Sequence, residues 1–469
     1  MSPRSSRAIS SVQAPAAEPT SRSRRALFVA VMTVAAAPPA HAGGMFLPFR
    51  GVHAVEQAGA VVAGAQDADA LFDNPAGLAH ITGGLAMVVD GAFVAQSVDY
   101  TRIDSGGTTL APVSSDYPGI VAPTIAVAYP VNDRLVLAGG IDAPYAGLGR
   151  YPVGGPERYA TVSMAESLFV TVSVGVAYAV TPELRVGVTV QDVVSKVASR
   201  VTLGGCPAQT VCAPEDPDFD ADTKLTQTDL FAPSASAGIQ WDASRYLTLG
   251  ATAQAPSRVS ANGELQTKVP SASFFDGASV RGNSATLALT IPAMFKAGVA
   301  VHPTPHLTIE AALDVELWSE HADITITPHD TAIVNAAGVG TYQLGEVIIP
   351  RHYRNSYAPS VGGQYRQGRW QVGAGYSYET AAAPAAYVSV LTVDSAKNIF
   401  GLGGGFDLHG YQLSAALGYV AMRDVSVSLA DAKVTQLSPI RDQGGAIDVN
   451  AGGYRTHYVL AGLRLAKKF

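Results

Sequence analysis

The chain alternates very short turns with very long loops between segments that have the pattern of β-strands. We count fourteen candidate strands, joined by six turns and seven loops that alternate without a break. The turns lie at 131–134, 181–183, 242–245, 302–306, 367–368 and 409–410, and they are rich in Pro, Gly, Asn and Asp. The loops lie near 103–118, 143–165, 198–228, 258–284, 319–352, 380–395 and 424–452. Connections sorted by length in this way are typical of a closed barrel in a bacterial outer membrane.

The candidate strands have two different faces. In residues 307–318 every odd-numbered position is apolar, whereas the even-numbered positions include Glu310, Asp314 and Glu316. A period of two indicates a strand between two environments, here lipid outside and a wet lumen inside. We expect the three acids to pair with basic side chains or to hold an element inside the barrel. The predicted fold class is all-β, a fourteen-stranded antiparallel transmembrane β-barrel with an N-terminal hatch in its lumen.

Composition is consistent with this prediction. Charged residues are 15% of the chain, below the roughly one quarter that is usual in soluble domains. After the first forty residues, no stretch reaches the ~18 apolar residues that a spanning helix needs. The net charge of -7 and the lack of a basic run argue against a nucleic-acid partner. We expect a monomeric barrel whose partners are outer-membrane lipid and lipopolysaccharide.

Residues 1–42 have the three parts of an export signal in the right order. Arg22, Arg24 and Arg25 form a basic region, residues 26–37 are apolar, and residues 40–42 read Ala-His-Ala. We therefore expect the mature protein to begin near Gly43. The alternative is a disordered tail followed by a buried helix.

The chain has two cysteines, and both lie in one long polar loop. Cys206 and Cys212 are close in sequence, and export to an oxidising compartment favours a local disulfide. Two thiols without a neighbouring His do not make a metal site. We predict no metal and no cofactor.

Residues 43–83, which we call the hatch, lack the strand pattern. Residues 54–70 are rich in Ala and Gly with little alternation, and residues 73–77 (Asp-Asn-Pro-Ala-Gly) form a turn cluster. Apolar residues, Phe72 among them, argue against a free solvated tail. We predict that the hatch plugs the lumen and that residues 84–469 form the barrel. The alternative is a periplasmic tail that does not contact the barrel.

The hatch sequence resembles a known family. Residues 59–78, which end in Asp-Asn-Pro-Ala-Gly-Leu, are similar to the N-terminal hatch of the outer-membrane long-chain fatty acid transporters, a family that also includes importers of aromatic hydrocarbons. Residues 135–145 and 155–160 are similar to that family's third strand and to a segment beyond it. The strand around residues 291–295 and the terminal strand ending in Phe also fit. The resemblance extends over essentially the whole mature chain.

The resemblance implies a function and a route. It implies passive uptake of hydrophobic small molecules, either fatty acids or hydrocarbons, through a barrel that the hatch closes at its periplasmic end. Substrate would first meet a hydrophobic groove among the outer loops and then a tighter pocket inside. The hatch would rearrange, and the substrate would leave sideways through a gap in the wall. The hatch residues that carry the resemblance are Phe72, Asn74, Pro75, Ala76 and Gly77.

The loop at 143–165 is the predicted entrance. It combines aromatic and apolar side chains with two arginines, which are able to meet the carboxylate of an acidic cargo. The alternative is that these side chains contact lipopolysaccharide or form part of an aromatic girdle. The residues concerned are Tyr145, Leu148, Arg150, Tyr151, Arg158 and Tyr159.

Other functions fit less well. A general diffusion porin is the main alternative, and the hatch argues against it. A barrel enzyme needs a nucleophile with a partner His, but the ten His residues fall mostly in turns, loops and the N-terminal region. We therefore predict that the protein is not an enzyme. Long loops also permit an adhesin or phage receptor, but nothing else supports that function.

Overall fold

The computed structural model describes residue 47 and residues 51–160, 167–206, 212–213, 215–337, 340–438 and 447–469. The predicted export signal at 1–42, and most of residues 43–50, lie outside this described part. Among the described residues, no helix is long and apolar enough to cross a membrane.

Fourteen strands close into one barrel. Each strand pairs antiparallel with the next, and the last strand pairs with the first from Ala86↔Lys468 to Arg102↔Gly452. The predicted fourteen-stranded antiparallel barrel is therefore confirmed. The strands are β1 Ala86–Arg102, β2 Ile120–Pro130, β3 Leu135–Ala146, β4 Leu168–Ala179, β5 Leu184–Gly204, β6 Pro233–Ser244, β7 Leu247–Gln254, β8 Met294–Thr304, β9 Leu307–Glu316, β10 Ser356–Gln367, β11 Trp370–Glu379, β12 Lys397–Leu408, β13 Tyr411–Met422 and β14 Gly452–Lys468.

The connections divide the barrel into two ends. Six turns, at 131–134, 180–183, 245–246, 305–306, 368–369 and 409–410, lie at one end, which we call the turn end. The seven long connections lie at the other, which we call the loop end. Consecutive antiparallel strands reverse direction, so every second connection falls on the same side.

The long connections are more regular than predicted. The prediction of a loop at 198–228 is wrong in part, because β5 continues to Gly204 and its last residues pair with strand Asp220–Asp229. That pairing begins a branch of the barrel sheet, which we call the loop sheet, and its further strands are Ser257–Thr267, Ser284–Ile291, Asp323–His329 and Val347–Pro350. Backbone groups in the loops are thereby paired with segments distant in sequence.

The remaining elements are short. Strands Val113–Ser114 and Val425–Val427 extend β1 and β14, and Ser279–Arg281, Ala332–Ala336 and Gly340–Gln343 form a small separate sheet. The 3-10 turns of the loops are Arg158–Ala160, Pro217–Phe219, Ser273–Phe275, Trp318–Glu320 and Ala385–Tyr387. The hatch contains helices α1 (Gly51–Glu56) and α2 (Ala70–Asp73) and the 3-10 turn Pro75–His80.

The two faces of the strands differ as the sequence predicts. Val174 and Leu463 point outward and are 65% and 73% exposed, whereas their neighbours Ser173 and Arg464 are buried. An apolar outer surface with polar side chains inside suits a barrel surrounded by lipid.

Candidate functional site

The described hatch residues pack inside the barrel, against glycines of the wall. A Cβ built at Gly238 lies 2.1 Å from the Asn74 side-chain oxygen, and one at Gly401 lies 2.0 Å from the Val55 carbonyl oxygen. No larger residue fits at such separations. Wall glycines whose built Cβ meets the hatch occur on eleven of the strands, at Gly140, Gly175, Gly187, Gly238, Gly250, Gly298, Gly362, Gly375, Gly401, Gly418 and Gly462.

Asn74 organises the turn that carries the family resemblance. Its side-chain oxygen accepts a hydrogen bond from the Ala76 N–H, and its amide donates to the carbonyls of Val62 and Ile239 at 2.9 and 3.2 Å. Asn74 thereby joins two parts of the hatch to β6. The turn is tight, since a Cβ built at Gly77 lies 2.2 Å from the Ala65 carbonyl oxygen.

The other predicted hatch residues lie at the same turn. Pro75 and Ala76 open the 3-10 turn and are buried against Gly187 of β5. Phe72 reaches β3, where its ring lies 3.0 Å from a Cβ built at Gly140. These residues are brought together, and their part in closing the barrel is a proposal below.

Glu310 binds the hatch from β9. Its carboxylate accepts hydrogen bonds from three consecutive backbone N–H groups, those of Val62, Ala63 and Gly64, at 2.6, 2.7 and 2.7 Å. Successive N–H groups that converge in this way form an anion-binding nest. From β6, Gln240 donates to the carbonyls of Ala63 and Ala65. An acid of the polar strand face thus holds an element inside the lumen, as expected from the sequence.

Arg464 binds the hatch from β14. Its guanidinium donates to Asp69, to Asp67 at 2.9 Å and to Asp90 of β1 at 3.5 Å. The side chain is only 3% exposed, so three acids surround a charge that water does not reach. Arg464 therefore joins the hatch to both strands of the closing seam.

The wall has a break between β2 and β3, which we call the side opening. These strands pair only from Thr124↔Asp142 to Pro130↔Val136. Beyond Asp142 the register of β3 against β4 shifts, and the Pro144 carbonyl accepts a hydrogen bond from the N–H of Leu47 instead. Next to the side opening lies an apolar cluster that includes Leu47, Val94, Ala122, Ala143, Ala146 and Leu148.

Two cavities within the lumen contain charged side chains. One is lined by the hatch residues Ala54, Ala58, Gly59, Val61 and Asp73 and by the wall residues Lys296, Asp314, Glu316, Ala358, Ser360, Ser377, Glu379 and Ile399. The other, of about 310 Å³, is lined by His53, Glu56, Asp67, Gln364, Arg366, Gln371, Gln412, Ser414 and Arg464.

The loop end contains a different kind of cavity, which we call the loop pocket. It is partly open to solvent and is lined mostly by apolar and aromatic side chains: Tyr159, Ile348, Ile349, Pro350, Tyr387, Leu391, Val434 and Leu437. Arg351, Lys433, Ser389 and Thr435 complete the lining. Tyr159 also belongs to a large apolar cluster of the loop end, in which Tyr100 stacks on Tyr454 with ring centroids 4.3 Å apart.

The four predicted entrance residues other than the arginines lie in three different places. Of the six, only Tyr159 lines the loop pocket. Tyr145 and Tyr151 are buried in the apolar cluster of the loop end, and Leu148 packs beside the side opening. Burial raises the pKa of Tyr151, so its phenol stays neutral.

The two predicted arginines already have partners within the chain. Arg150 pairs with Asp116 at 2.7 Å on the surface, and Arg158 pairs with Asp220 at 2.7 Å. Tyr159 donates a further hydrogen bond to Asp220. The idea that either arginine meets a cargo carboxylate stays a prediction, and these ion pairs weigh against it.

Most residues of the loop pocket were missed in the sequence. A usable signal was present in Val347–Pro350, an apolar run inside a polar connection that is followed at once by Arg351. The contributions of Leu391 and Val434 had no such signal, because they come from separate loops that meet only in the folded barrel.

A disulfide joins Cys206 and Cys212, whose Cα atoms are 6.1 Å apart. We expect alkylation of the unfolded full-length protein to label no thiol before reduction and two thiols after it. The Cys206→Ser/Cys212→Ser double variant should take up no label in either case. Neither cysteine lines the loop pocket, so this variant should retain wild-type uptake. Labelling of the wild type before reduction would contradict the prediction.

A closed fourteen-stranded barrel with an apolar outer surface and an internally packed N-terminal segment defines an outer-membrane transport protein. The family described as outer membrane protein transport protein (OMPP1/FadL/TodX) matches residues 33–458, and the chain belongs to it. It is therefore located in the bacterial outer membrane.

Solved structures resemble this chain over nearly its whole length. A FadL homologue of Pseudomonas aeruginosa aligns with a TM-score of 0.74 at 18% identity, covering 91% of this chain and 100% of the homologue. The P. putida toluene transporter TodX aligns with a TM-score of 0.61 at 16% identity, covering 88% of this chain and 99% of TodX. Likeness at such identities supports the fold alone.

A sequence relative comes from Neisseria meningitidis serogroup B, where it is named as an outer membrane protein. It is 33% identical over 124 residues, which are 25% of this chain and 26% of the relative. The alignment thus spans about a quarter of either protein.

Proposed function

We propose that this protein carries hydrophobic small molecules, either fatty acids or hydrocarbons, passively across the outer membrane. The observation that carries the proposal is the loop pocket, an apolar cavity at the loop end that is continuous with the buried apolar cluster beneath it. A cavity lined mostly by apolar groups with a few polar ones is typical of a site for a small molecule. We expect the barrel to act as a monomer whose loops contact lipopolysaccharide.

In this proposal the hatch closes the turn end. Its backbone and side chains pack against glycines of eleven strands, and Glu310, Gln240 and Arg464 hold it by hydrogen bonds. A general diffusion porin needs a continuous water-filled lumen, and the packed hatch supports the hydrophobic route over a porin.

Release through the side opening follows from polarity. An apolar cluster lies beside the side opening, whereas charged side chains form part of the lining of both cavities next to the hatch. A hydrophobic molecule moves to apolar surroundings at lower free energy, by roughly 25 cal/mol for each Å² of its surface removed from water. Lateral release into the membrane is therefore favoured over release straight down to the periplasm.

A charge placed in the loop pocket tests the proposal. Leu391→Glu puts a carboxylate into the loop pocket, where it replaces an apolar contact of the cargo and competes with the cargo for Arg351 and Lys433. We expect the initial rate of radiolabelled cargo uptake, into cells that lack other importers of such molecules, to fall at least about tenfold.

Leu429→Glu is the matched control for that experiment. Leu429 is an exposed leucine of a neighbouring loop and does not line the loop pocket. Its replacement should leave uptake within about twofold of wild type. Equal uptake by Leu391→Glu and wild type would remove the loop pocket from the route, and no uptake by wild type of either a fatty acid or an arene would overturn the proposed function.

A further inference from the structure

The loop pocket contains a buried positive charge without a counter-ion. Arg351 is only 4% exposed, and it makes no ion pair with any residue in the described part of the chain. Its guanidinium donates to the Tyr353 hydroxyl and lies 4.6 Å from the centre of that ring, while its Nε has no hydrogen-bond partner. Burial of a charge is costly unless an opposite charge or several hydrogen bonds accompany it.

Other buried arginines of the described chain are treated differently. Arg102 pairs with Glu215 at 2.6 Å, Arg185 pairs with Asp242 at 2.7 Å, and Arg464 pairs with Asp69. Among these four buried side chains, Arg351 alone lacks a carboxylate, and it alone lines the loop pocket. The missing partner of Arg351 is therefore expected to come from outside the described part of the chain.

The charges of Asp323 and Asp394 act on His321 and Tyr353, the neighbours of Arg351, but neither acid forms an ion pair with Arg351. His321 packs close by, where its Nδ1 lies 2.7 Å from the Thr290 carbonyl oxygen. Burial, and then the charge of Arg351, lower the pKa of His321 to about 4, so this imidazole is neutral near pH 7. Lys433 is exposed and lines the same cavity; its positive charge also acts on Asp448.

We infer that the loop pocket is a head-group site for an amphipathic monoanion, with Arg351 and Lys433 binding the anionic group and the apolar lining holding the tail. The inference rests on the proposed function and names the chemical class of its cargo. A guanidinium presents paired N–H donors that match the oxygens of a carboxylate, a sulfonate or a sulfate. A neutral hydrocarbon would fill the apolar part and leave Arg351 without a partner.

The inference places recognition on residues other than those the sequence suggested. Arg150 and Arg158 are already occupied by Asp116 and Asp220. Arg351 follows the strand Val347–Pro350 directly, so the loop sheet fixes its position beside Ile349 and Pro350. The positive charge of Arg351 and the apolar side chains of Ile349 and Pro350 therefore lie side by side on the loop sheet.

Three probes with the same chain length separate head group from tail. Dodecanoate and dodecanesulfonate carry an anion, and 1-dodecanol carries none. Equilibrium binding to the full-length protein in lipid nanodiscs is measured below the micellar concentrations, and binding to empty nanodiscs is subtracted. We expect wild type to bind both anions at least about tenfold more tightly than the alcohol, since a hydrogen bond to a charged group is worth about that factor or more.

Variants assign the difference to Arg351. Arg351→Met keeps most of the side-chain volume and should weaken both anions about tenfold or more, while the alcohol changes less than about twofold. Arg351→Lys should lose less affinity for the anions than Arg351→Met does, because lysine keeps the positive charge but lacks the paired N–H donors of the guanidinium. Lys433→Met should weaken the anions by a smaller factor, and Arg455→Met, which removes an exposed arginine paired with Asp424, should change nothing.

The possible results have separate meanings. Equal affinity of wild type for the alcohol and the anions would overturn the head-group site and leave the proposed function intact. A parallel loss of all three probes in Arg351→Met, with the anion preference retained in Lys433→Met and Arg351→Lys, would show a structural role and also overturn it. Failure of wild type to bind any of the three would count against the proposed function itself. Heat-modifiable mobility in gels checks that each variant is a folded barrel.

Discussion

Replacing Glu310 with alanine should convert a closed barrel into one that conducts ions steadily. The carboxylate accepts three hydrogen bonds from the consecutive N–H groups of Val62, Ala63 and Gly64. Each such bond to a charged group contributes about 1.5–3 kcal/mol. Without it, three donors in the barrel interior lose their acceptor, and the hatch loses its attachment to β9. The hatch should then spend part of its time displaced.

Single-channel recording in planar bilayers measures this effect. We expect wild type to show no steady conductance and Glu310→Ala to show long openings. Glu310→Gln keeps an acceptor oxygen and should show fewer openings. Glu264→Ala, which removes an exposed acid of the loop sheet, is the matched control and should be silent. A Glu310→Ala protein as silent as wild type would show that this carboxylate does not hold the hatch closed.

Replacing Arg464 with methionine should destabilise the folded barrel more than replacing any exposed arginine. Asp69 and Asp90 would remain buried beside it without their positive partner. Removal of one member of a buried ion pair costs about 3–5 kcal/mol, because an uncompensated charge is left in the interior. The temperature at which heat-modifiable gel mobility changes should therefore fall clearly.

Arg455 supplies the control on the same strand. It pairs with Asp424 at 3.4 Å, but both side chains are well exposed, and such pairs contribute about 0–1 kcal/mol. Arg455→Met should therefore leave the transition almost unchanged. Adding Asp69→Asn to Arg464→Met should recover part of the lost stability, since one unpaired acid is removed. No recovery would mean that Arg464 acts by packing rather than by charge.

The barrel could be predicted because its signals are local. The Pro, Gly, Asn and Asp of each turn and the alternation of each strand lie within a few residues of one another. The strands of the loop sheet were missed for the opposite reason. Their partners are far apart in sequence, as where Ser284–Ile291 pairs with Asp323–His329, and no tight turn marks the connection. Long-range pairing of this kind leaves little trace in either segment alone.

The site was predicted less completely than the fold. The turn around Asn74 is a compact sequence signal, and its residues do lie together in the structure. The prediction of the entrance treated the aromatic and basic residues of one loop as a single site. Residues of the same loop, however, can be buried in the interior or exposed on the surface. Tyr151 is buried while Arg150 beside it is exposed. The loop pocket is built from several loops, so its lining emerges only from the folded arrangement.

The position of Arg464 has a consequence for biogenesis. Its partners Asp67 and Asp69 lie near the start of the chain and are synthesised early, whereas Arg464 lies on the final strand and is synthesised late. Asp90 belongs to the first strand, so all these groups come together only when the last strand pairs with the first and closes the barrel. Until that moment the hatch lacks the contacts of Arg464, and Glu310 and Gln240 are the wall side chains that can hold it. The last step of insertion thus closes the barrel wall and completes the binding of the hatch at the same time.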